Sequence, residues 1–450
     1  MELTRRNVLA GSAGLAGAAL AGHEAAAQSS LNAGFILIGP VGDFGWSTMH
    51  DVGRRRMLEV LGNRVQATQV EAVAPPDFDR VATQLVRAGC RVVFTTSFSY
   101  FAATQRVAQQ NPNVMWESAT GTSTAANLAI YNARFYEGRY VQGVIAARKS
   151  RTKQIGYVAS FPVPEVIHAI NTVMRGAWTV DPSIRIRVVW VSAWFNPGRE
   201  ADAARALIDQ GCDVICQHTD SPAPLQLAEQ RGNVFGFGQA SDMTRFAPRA
   251  HLTSSVNNWG DYYVERARAL LDGTWRPADT WGGLGSGMFR LAPFTNMTPE
   301  EASEATRIRD ALASGALHPF EGPITRQDGT QVIPAGRRLT DDEIRAQNYF
   351  YQGIDVAMPY DAAAIDAGAS DRMLIRSEVA PSGGAVPYRA CREVPEASKL
   401  SLAKTRNPAR CRPRFSRASA RGGTCPWTTF RSPIPWSPTT RATAPSPFAA

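Results

Sequence analysis

The sequence predicts an α/β protein of two similar lobes, each built on a parallel sheet covered by helices. Three observations carry that expectation. Short apolar runs alternate with helix-length segments from Phe35 to Leu271, which is the grammar of βαβ units. The alternation restarts with the same grammar around Ser150–Lys153. The runs end in polar-aromatic loops, at the carboxyl ends of strands, where open parallel sheets take ligands.

The elements follow in order. Phe35–Ile38 is apolar throughout, as a strand buried on both faces must be, and Gly39, Pro40, Gly42 and Gly45 break it into a turn. Thr48–Leu61 then reads as a helix, with Asp43, Trp46 and Ser47 in the loop before it. Arg64–Glu71 is a strand and Pro76–Ala88 a helix with Asp77 and Asp79 in its first turn, where they suit the dipole. Val92–Phe94 runs into the loop Thr95–Tyr100, which contains Ser97 and Phe98. A helix to Gln110, strands at Val114–Glu117 and Leu128–Tyr131, and a helix from Asn132 to about Arg148 complete the first half. The second half repeats the scheme with strands at Ile155–Ala159, Arg187–Val191, Val214–Gln217, Val234–Phe237 and His251–Val256. Helices are expected at Val166–Trp178, Asn196–Gln210, up to Arg231, and at Trp259–Leu271. Beyond Gly273, Trp281–Leu284 and Met288–Leu291 read as a hairpin-type connection, Thr298–Ser314 as a helix, and Phe320–Ile324 with Thr330–Ile333 as two strands. Thr340–Gly353 reads as a last helix, with a capping box at Thr340 and Glu343.

The ends differ from the body. Thr4-Arg5-Arg6-Asn7-Val8-Leu9, an Ala/Gly/Leu run to Ala21 and Ala25-Ala26-Ala27 form a twin-arginine signal pattern over residues 1–27. Export to a bacterial periplasm is expected, and with no Cys near the cleavage site, no lipid anchor. The net charge of +9 is misleading, because Ala397–Ala450 holds ten Lys and Arg and no acid, which leaves −1 on the preceding residues. The body therefore makes no electrostatic case for nucleic acid. Residues 359–450 lack hydrophobic periodicity and are rich in Pro, Ser, Thr and Arg, the composition of a disordered basic tail. A non-native extension is the favoured origin, a nucleic-acid-binding tail the alternative. Cys391, Cys411 and Cys425 fall in this tail. Cys90, Cys212 and Cys216 read as small buried hydrophobes, a Cys212–Cys216 disulfide being disfavoured by geometry.

Catalytic motifs are missing. Gly39, Gly42 and Gly45, with Glu71 ending the second strand, suggest a dinucleotide site, but the spacing is not G-x-G-x-x-G. No G-x-S-x-G elbow, HExxH or Walker A pattern occurs, and His50, His168 and His218 lack the clustering of a metal site and read as structural. A binding protein is the first reading, with a nucleoside hydrolase or NAD-type enzyme behind it. A signalling effector domain would need a DNA-binding module where the signal pattern stands.

GPVGDFGWSTMHDVG (Gly39–Gly53), NARFYEGRY (Asn132–Tyr140), GYVASFPVPEV (Gly156–Val166), QHTDSPAP (Gln217–Pro224) and FGQASDM (Phe237–Met243) together resemble the basic membrane protein (BMP) family. Its members are periplasmic substrate-binding components of ABC importers that bind purine nucleosides or nucleobases. The resemblance covers about Ala33 to Met358 and implies a type I periplasmic-binding-protein fold, with two Rossmann-like lobes joined by a hinge. It places lobe 1 at 28–151 with a return at 253–290, and lobe 2 at 152–252 with remaining lobe and hinge elements at 291–358. It implies a purine held between Trp46 of the first lobe and Phe161 of the second. Asp43, Asp220 and Asp242 would accept from the ring edge, and Gln239 and Asn132 would donate and accept. Ser97, Phe98 and Asn257 complete the expected ligand-binding set. Each has a plainer reading: Trp46 and Phe161 as core, and the three aspartates as helix caps. Glu137 and Arg139 are expected on the helix surface or hinge. Nucleoside-binding relatives carry a Lys where Asn257-Asn258-Trp259 stands here, so a free nucleobase, adenine first, is expected. No cofactor, no metal, a monomeric form and an inner-membrane permease as partner complete the expectation.

Overall fold

A computed structural model of the chain describes residues 30–356. The signal pattern at 1–27 and the basic tail at 359–450, with Cys391, Cys411 and Cys425, lie outside the described residues. The first lobe runs β1 (Leu31–Ile36), α1 (Gly45–Leu61), β2 (Val65–Val70), α2 (Phe78–Arg87), β3 (Val92–Thr95), α3 (Phe101–Gln110), β4 (Met115–Ala119) and β5 (Leu128–Ala133). The second runs α4 (Phe135–Lys149), β6 (Gln154–Ala159), α5 (Pro164–Trp178), β7 (Arg185–Trp190), α6 (Pro197–Asp209), β8 (Val214–His218), α7 (Ala223–Arg231), β9 (Phe235–Gly238) and β10 (His251–Asn257). The chain returns to the first lobe for α8 (Gly260–Leu271) and β11 (Asp279–Gly282). It ends in the second with β12 (Phe289–Leu291), α9 (Pro299–Ala313), β13 (Ile324–Thr325), β14 (Gln331–Ile333), α10 (Asp341–Arg345) and β15 (Ile354–Asp355).

The first sheet is wholly parallel in the order β11-β5-β4-β3-β1-β2. The second, β12-β10-β9-β8-β6-β7-β15, is parallel except for the β12 edge. In both, the first strand of the lobe lies between its second and third, so the strand order reverses beside β1 and beside β6. Those reversals open crevices at the carboxyl ends, where doubly wound sheets hold ligands. β1 is buried on both faces, with only Asn32 half-buried; it starts earlier than the expected run Phe35–Ile38, of which Phe35 and Ile36 belong to the strand while Leu37 and Ile38 follow it.

Three connections cross between lobes: β5 to α4 at Arg134, β10 to α8, and β11 to β12. The first lies earlier than the expected 151/152 boundary, because α4 packs on α5 in the second core. Glycines allow that approach. A Cβ on Gly143 would stand 2.1 Å from the Val173 carbonyl oxygen, and one on Gly176 2.0 Å from that of Tyr140. β10 likewise belongs to the second sheet throughout, so the return begins at α8 and not at 253. No hairpin joins β11 and β12, which sit in different sheets. The last helix stops at Arg345, although its Thr340–Glu343 capping box is present. Buried Asn171 captures the chain beyond it, donating to Gln347 Oε1 and the Tyr349 carbonyl and accepting from the Tyr351 amide. That leads the segment to pair as β15 with β7. Cys90, Cys212 and Cys216 are free and buried.

Candidate functional site

A cavity of about 370 Å³ lies between the lobes at the carboxyl ends of both sheets. Ile38, Gly39 and Pro40 reach it from β1, Ala72 from β2, Ser97 and Phe98 from β3, Thr120 from β4 and Trp46 from the start of α1. The second lobe contributes Val163 and Glu165 after β6, Trp194 and Phe195 after β7, His218, Thr219 and Asp220 after β8, and Gln239 after β9. Aromatic walls with a few polar groups are the usual make-up of a small-molecule pocket.

The turn after β1 is held by its own side chains. Gly39 N donates to Ser47 Oγ at 3.0 Å and Gly42 N to Thr48 Oγ1 at 3.1 Å. Trp46 is fixed by its indole N–H, which donates to the Thr96 carbonyl at 2.6 Å. Across the cleft the first turn of α1 meets the second lobe directly. Gly45 N donates to Ser241 Oγ at 2.8 Å and Trp46 N to Asp220 Oδ1 at 2.5 Å. Gly45 has φ +87°, and a Cβ there would lie 2.9 Å from the Asp220 carboxylate, so only glycine fits. Trp194 Nε1 donates to Ser99 Oγ at 3.1 Å, a third bond between lobes.

The polar groups are held from behind. Gln217 Nε2 donates to the carbonyls of Thr219 and Ser221, and buried Glu200 accepts from the amide and hydroxyl of Ser221, which fixes the loop carrying Asp220. Desolvation pushes the Asp220 carboxyl up to about 7, with the Trp46 amide opposing and Glu200 reinforcing. Glu165, in the first turn of α5, accepts from Asn132 Nδ2 at 2.8 Å and faces His218 Nε2 at 3.4 Å. Burial lowers the His218 pKa, Glu165 opposes the shift and the Arg139 cation adds to it, so the imidazole is neutral at pH 7. Arg139 is fully buried and donates to Gln142 Oε1 and to Gln239 Oε1.

Of the expected ligand-binding residues, Trp46, Ser97, Phe98, Asp220 and Gln239 come together on this cavity. The other five do not line it. Asp43 is exposed on the rim and pairs with Arg245 at 3.0 Å. Asp242 is exposed and caps a turn, accepting from the amide and hydroxyl of Thr244. Phe161 packs on Trp194 with centroids 5.1 Å apart, so Trp194 and not Phe161 forms the second-lobe wall. Asn132 stands behind Glu165, its Oδ1 occupied by the Ala133 amide. Asn257 is buried at the end of β10, its side-chain nitrogen and oxygen both without hydrogen-bond partners. Arg139 is interior, not on a surface, and His218 lines the cavity where only a structural role was expected. Sequence reasoning passed over Thr120, Val163, Glu165, Trp194, Phe195 and Thr219. Trp194-Phe195 could have been found as the aromatic pair following β7, and Glu165 as the acid following Pro164. Among the described residues no three His, Cys, Asp or Glu side chains gather to hold a metal ion.

Two α/β lobes facing each other over a cavity at the carboxyl ends of both sheets define a bilobal protein of the type I periplasmic-binding-protein fold. The chain belongs to the Bmp family, ABC transporter substrate-binding protein PnrA-like, whose sequence model matches residues 30–313. It is 49% identical over 339 residues to a purine-binding protein of Brucella abortus (strain 2308), covering 75% of this chain and 97% of the relative. It is 36% identical over 299 residues to a candidate ABC transporter glucose-binding protein of Haloferax volcanii, covering 65% of this chain and 76% of the relative. Among solved structures, an ABC transporter solute-binding protein from Aeropyrum pernix K1 superposes with a TM-score of 0.55 at 16% identity, covering 71% of this chain and 98% of that one. At that identity the likeness concerns the fold alone.

Proposed function

We propose that this protein captures a purine, as a free nucleobase, between its lobes and delivers it to an ABC permease in the inner membrane, without chemical conversion. The observation that carries the reading is the juxtaposition of Trp46 and Trp194 from opposite lobes around Asp220, Glu165 and Gln239. A flat heteroaromatic ring suits such walls, and stacking a base on an aromatic side chain contributes ~1–3 kcal/mol. Carboxylates accept from ring N–H or an exocyclic amine, and adenine offers both an amine and several ring acceptors. The cavity's volume lies within the roughly 300–1,000 Å³ usual for ligand pockets, and the preference for a base without its sugar is supported by Asn257-Asn258-Trp259 standing where nucleoside-binding relatives carry a Lys. The family and the signal pattern at residues 1–27 support a working protein outside the cytoplasm, and a monomer that binds its ligand without a cofactor is the form expected.

Calorimetric titration with adenine, guanine, hypoxanthine, xanthine, their nucleosides and glucose tests this. Free bases are expected to bind with micromolar or tighter affinity, about −8 kcal/mol or better. Binding of glucose alone, or of none of the panel, overturns the reading. Release of base from a nucleoside on incubation would replace it with a hydrolase.

A further inference from the structure

We propose that Arg139 is a positioning residue that fixes Gln239 as a pure hydrogen-bond donor to the ligand. The proposal rests on the purine reading above and assigns the polarity of one edge of the site.

Arg139 is an unusual core residue. It is 0% exposed, and no carboxylate lies within ion-pairing distance of it among the described residues. Buried cations are costly unless paired or fully hydrogen-bonded. Here partial compensation comes from amide oxygens, those of Gln142 and Gln239, and from the Tyr157 ring 5.9 Å away, while Nε has no hydrogen-bond partner. Gln142 is itself oriented, since its Nε2 donates to Ser255 Oγ at 3.1 Å. A guanidinium has donors and no acceptor, so the glutamine atom facing it must be the carbonyl oxygen. The assignment of Gln239 therefore follows from chemistry, independent of how its amide is drawn.

The consequence falls on the cavity. Gln239 lines it, and with Oε1 turned inward to Arg139 its Nε2 is left without a protein acceptor among the described residues. A glutamine with both ends free would read either a donor or an acceptor. This one reads an acceptor only, and the bond to a cation polarises the amide toward stronger donation. Asp220 and Glu165 supply the acceptors elsewhere on the wall. The ligand must accordingly present a ring nitrogen or carbonyl oxygen to Gln239 and its N–H groups to the carboxylates. An exocyclic amine is refused at Gln239.

The test compares adenine with 1-deaza-, 3-deaza- and 7-deazaadenine by calorimetry on the full chain. Each analogue removes one ring acceptor. One of them is expected to bind at least tenfold more weakly than the others. In Arg139→Met, where the Gln239 amide is free to turn, that gap is expected to shrink to threefold or less. Gln239→Glu guards against a misfolded Arg139 variant. Its carboxylate pairs with Arg139 and offers no donor, so the gap should vanish in a folded protein that binds adenine at least tenfold more weakly. A gap unchanged in either variant, or no gap in the parent protein, overturns the proposal while leaving the purine reading intact. Failure of adenine to bind while another base does overturns the proposal alone, and failure of every base removes both.

Discussion

Trp46 and Asp220 show how much a single side chain does in this cleft. The Trp46 ring stands on the cavity while its own backbone amide closes onto Asp220. Trp46→Ala should weaken base binding by about 5- to 150-fold, the ~1–3 kcal/mol of a stacked base, and calorimetry will show it. Unchanged affinity would mean that the indole only fills the core beside His50 and Trp259. Asp220 makes a prediction about pH. Its carboxyl is raised to about 7 by desolvation, so between about pH 4 and pH 7 the folded, closed form holds a proton that the unfolded chain has released. The stability that this group contributes is therefore present in full at low pH. It falls as pH rises through that window and levels off above about 7. Asp220→Asn should flatten the dependence of the melting temperature on pH between 4 and 7, and an unaltered slope would place the responsible group elsewhere. A ligand N–H donated to Asp220 favours the ionised form, so base binding near pH 6.5 should release protons, detected as a buffer-dependent binding enthalpy.

At the scale of elements, the carboxyl ends of the strands were legible in the sequence, and they built the site. Short apolar runs ending in Gly, Pro, Ser and aromatics located the loops after β1, β3, β6, β8 and β9, and all five reach the cavity. Which side chain in each loop faces inward was not legible, because that depends on loop conformation. Val163 and Glu165 reach the cavity from the segment in which Phe161 turns aside, and Asp43 and Asp242 were claimed by Arg245 and Thr244. The assignment of α4 to a lobe was hidden for a different reason. Alternation gives the order of elements but not their partners, and only the glycine pair Gly143 and Gly176 hinted at a close helix crossing. Gly176→Ala should cost at least the ~1–3 kcal/mol of an overpacked core, read from denaturant unfolding. Asn171 explains the shortened α10. Asn171→Ala removes three hydrogen bonds to residues 347–351 and should release that segment, with faster amide exchange over 347–355 while β6 and β8 keep their protection.

For the whole molecule, two sets of contacts span the lobes on opposite sides of the crossings. On the cleft side stand the α1 bonds to Asp220 and Ser241, the Trp194–Ser99 bond, and the exposed pair Asp43–Arg245. Beside the crossings, Arg134 pairs with Asp341 and Arg345 with Asp279, and the two guanidiniums lie 4.6 and 4.5 Å from the Trp281 ring. Exposed ion pairs contribute ~0–1 kcal/mol each, and cation–π contacts at such sites about 0.5–1 kcal/mol. The surface pairs hold the lobes together with little force, and a bound base is expected to add to the contacts that close the cleft. Small-angle scattering should show a smaller radius of gyration when a base is added. Trp281→Leu should enlarge the unliganded particle without changing the liganded one. Equal radii with and without base would mean that the cleft does not open.

Gly45 sets how closely the two lobes can approach. With no side chain, the first residue of α1 can come to rest against the Asp220 carboxylate. A single methyl group at position 45 would act as a doorstop and hold the lobes ajar with every cavity-lining residue still in place. Gly45→Ala is thus expected to separate contact with the ligand from the shutting of the lobes. A transport assay with that variant would show which of the two the permease responds to.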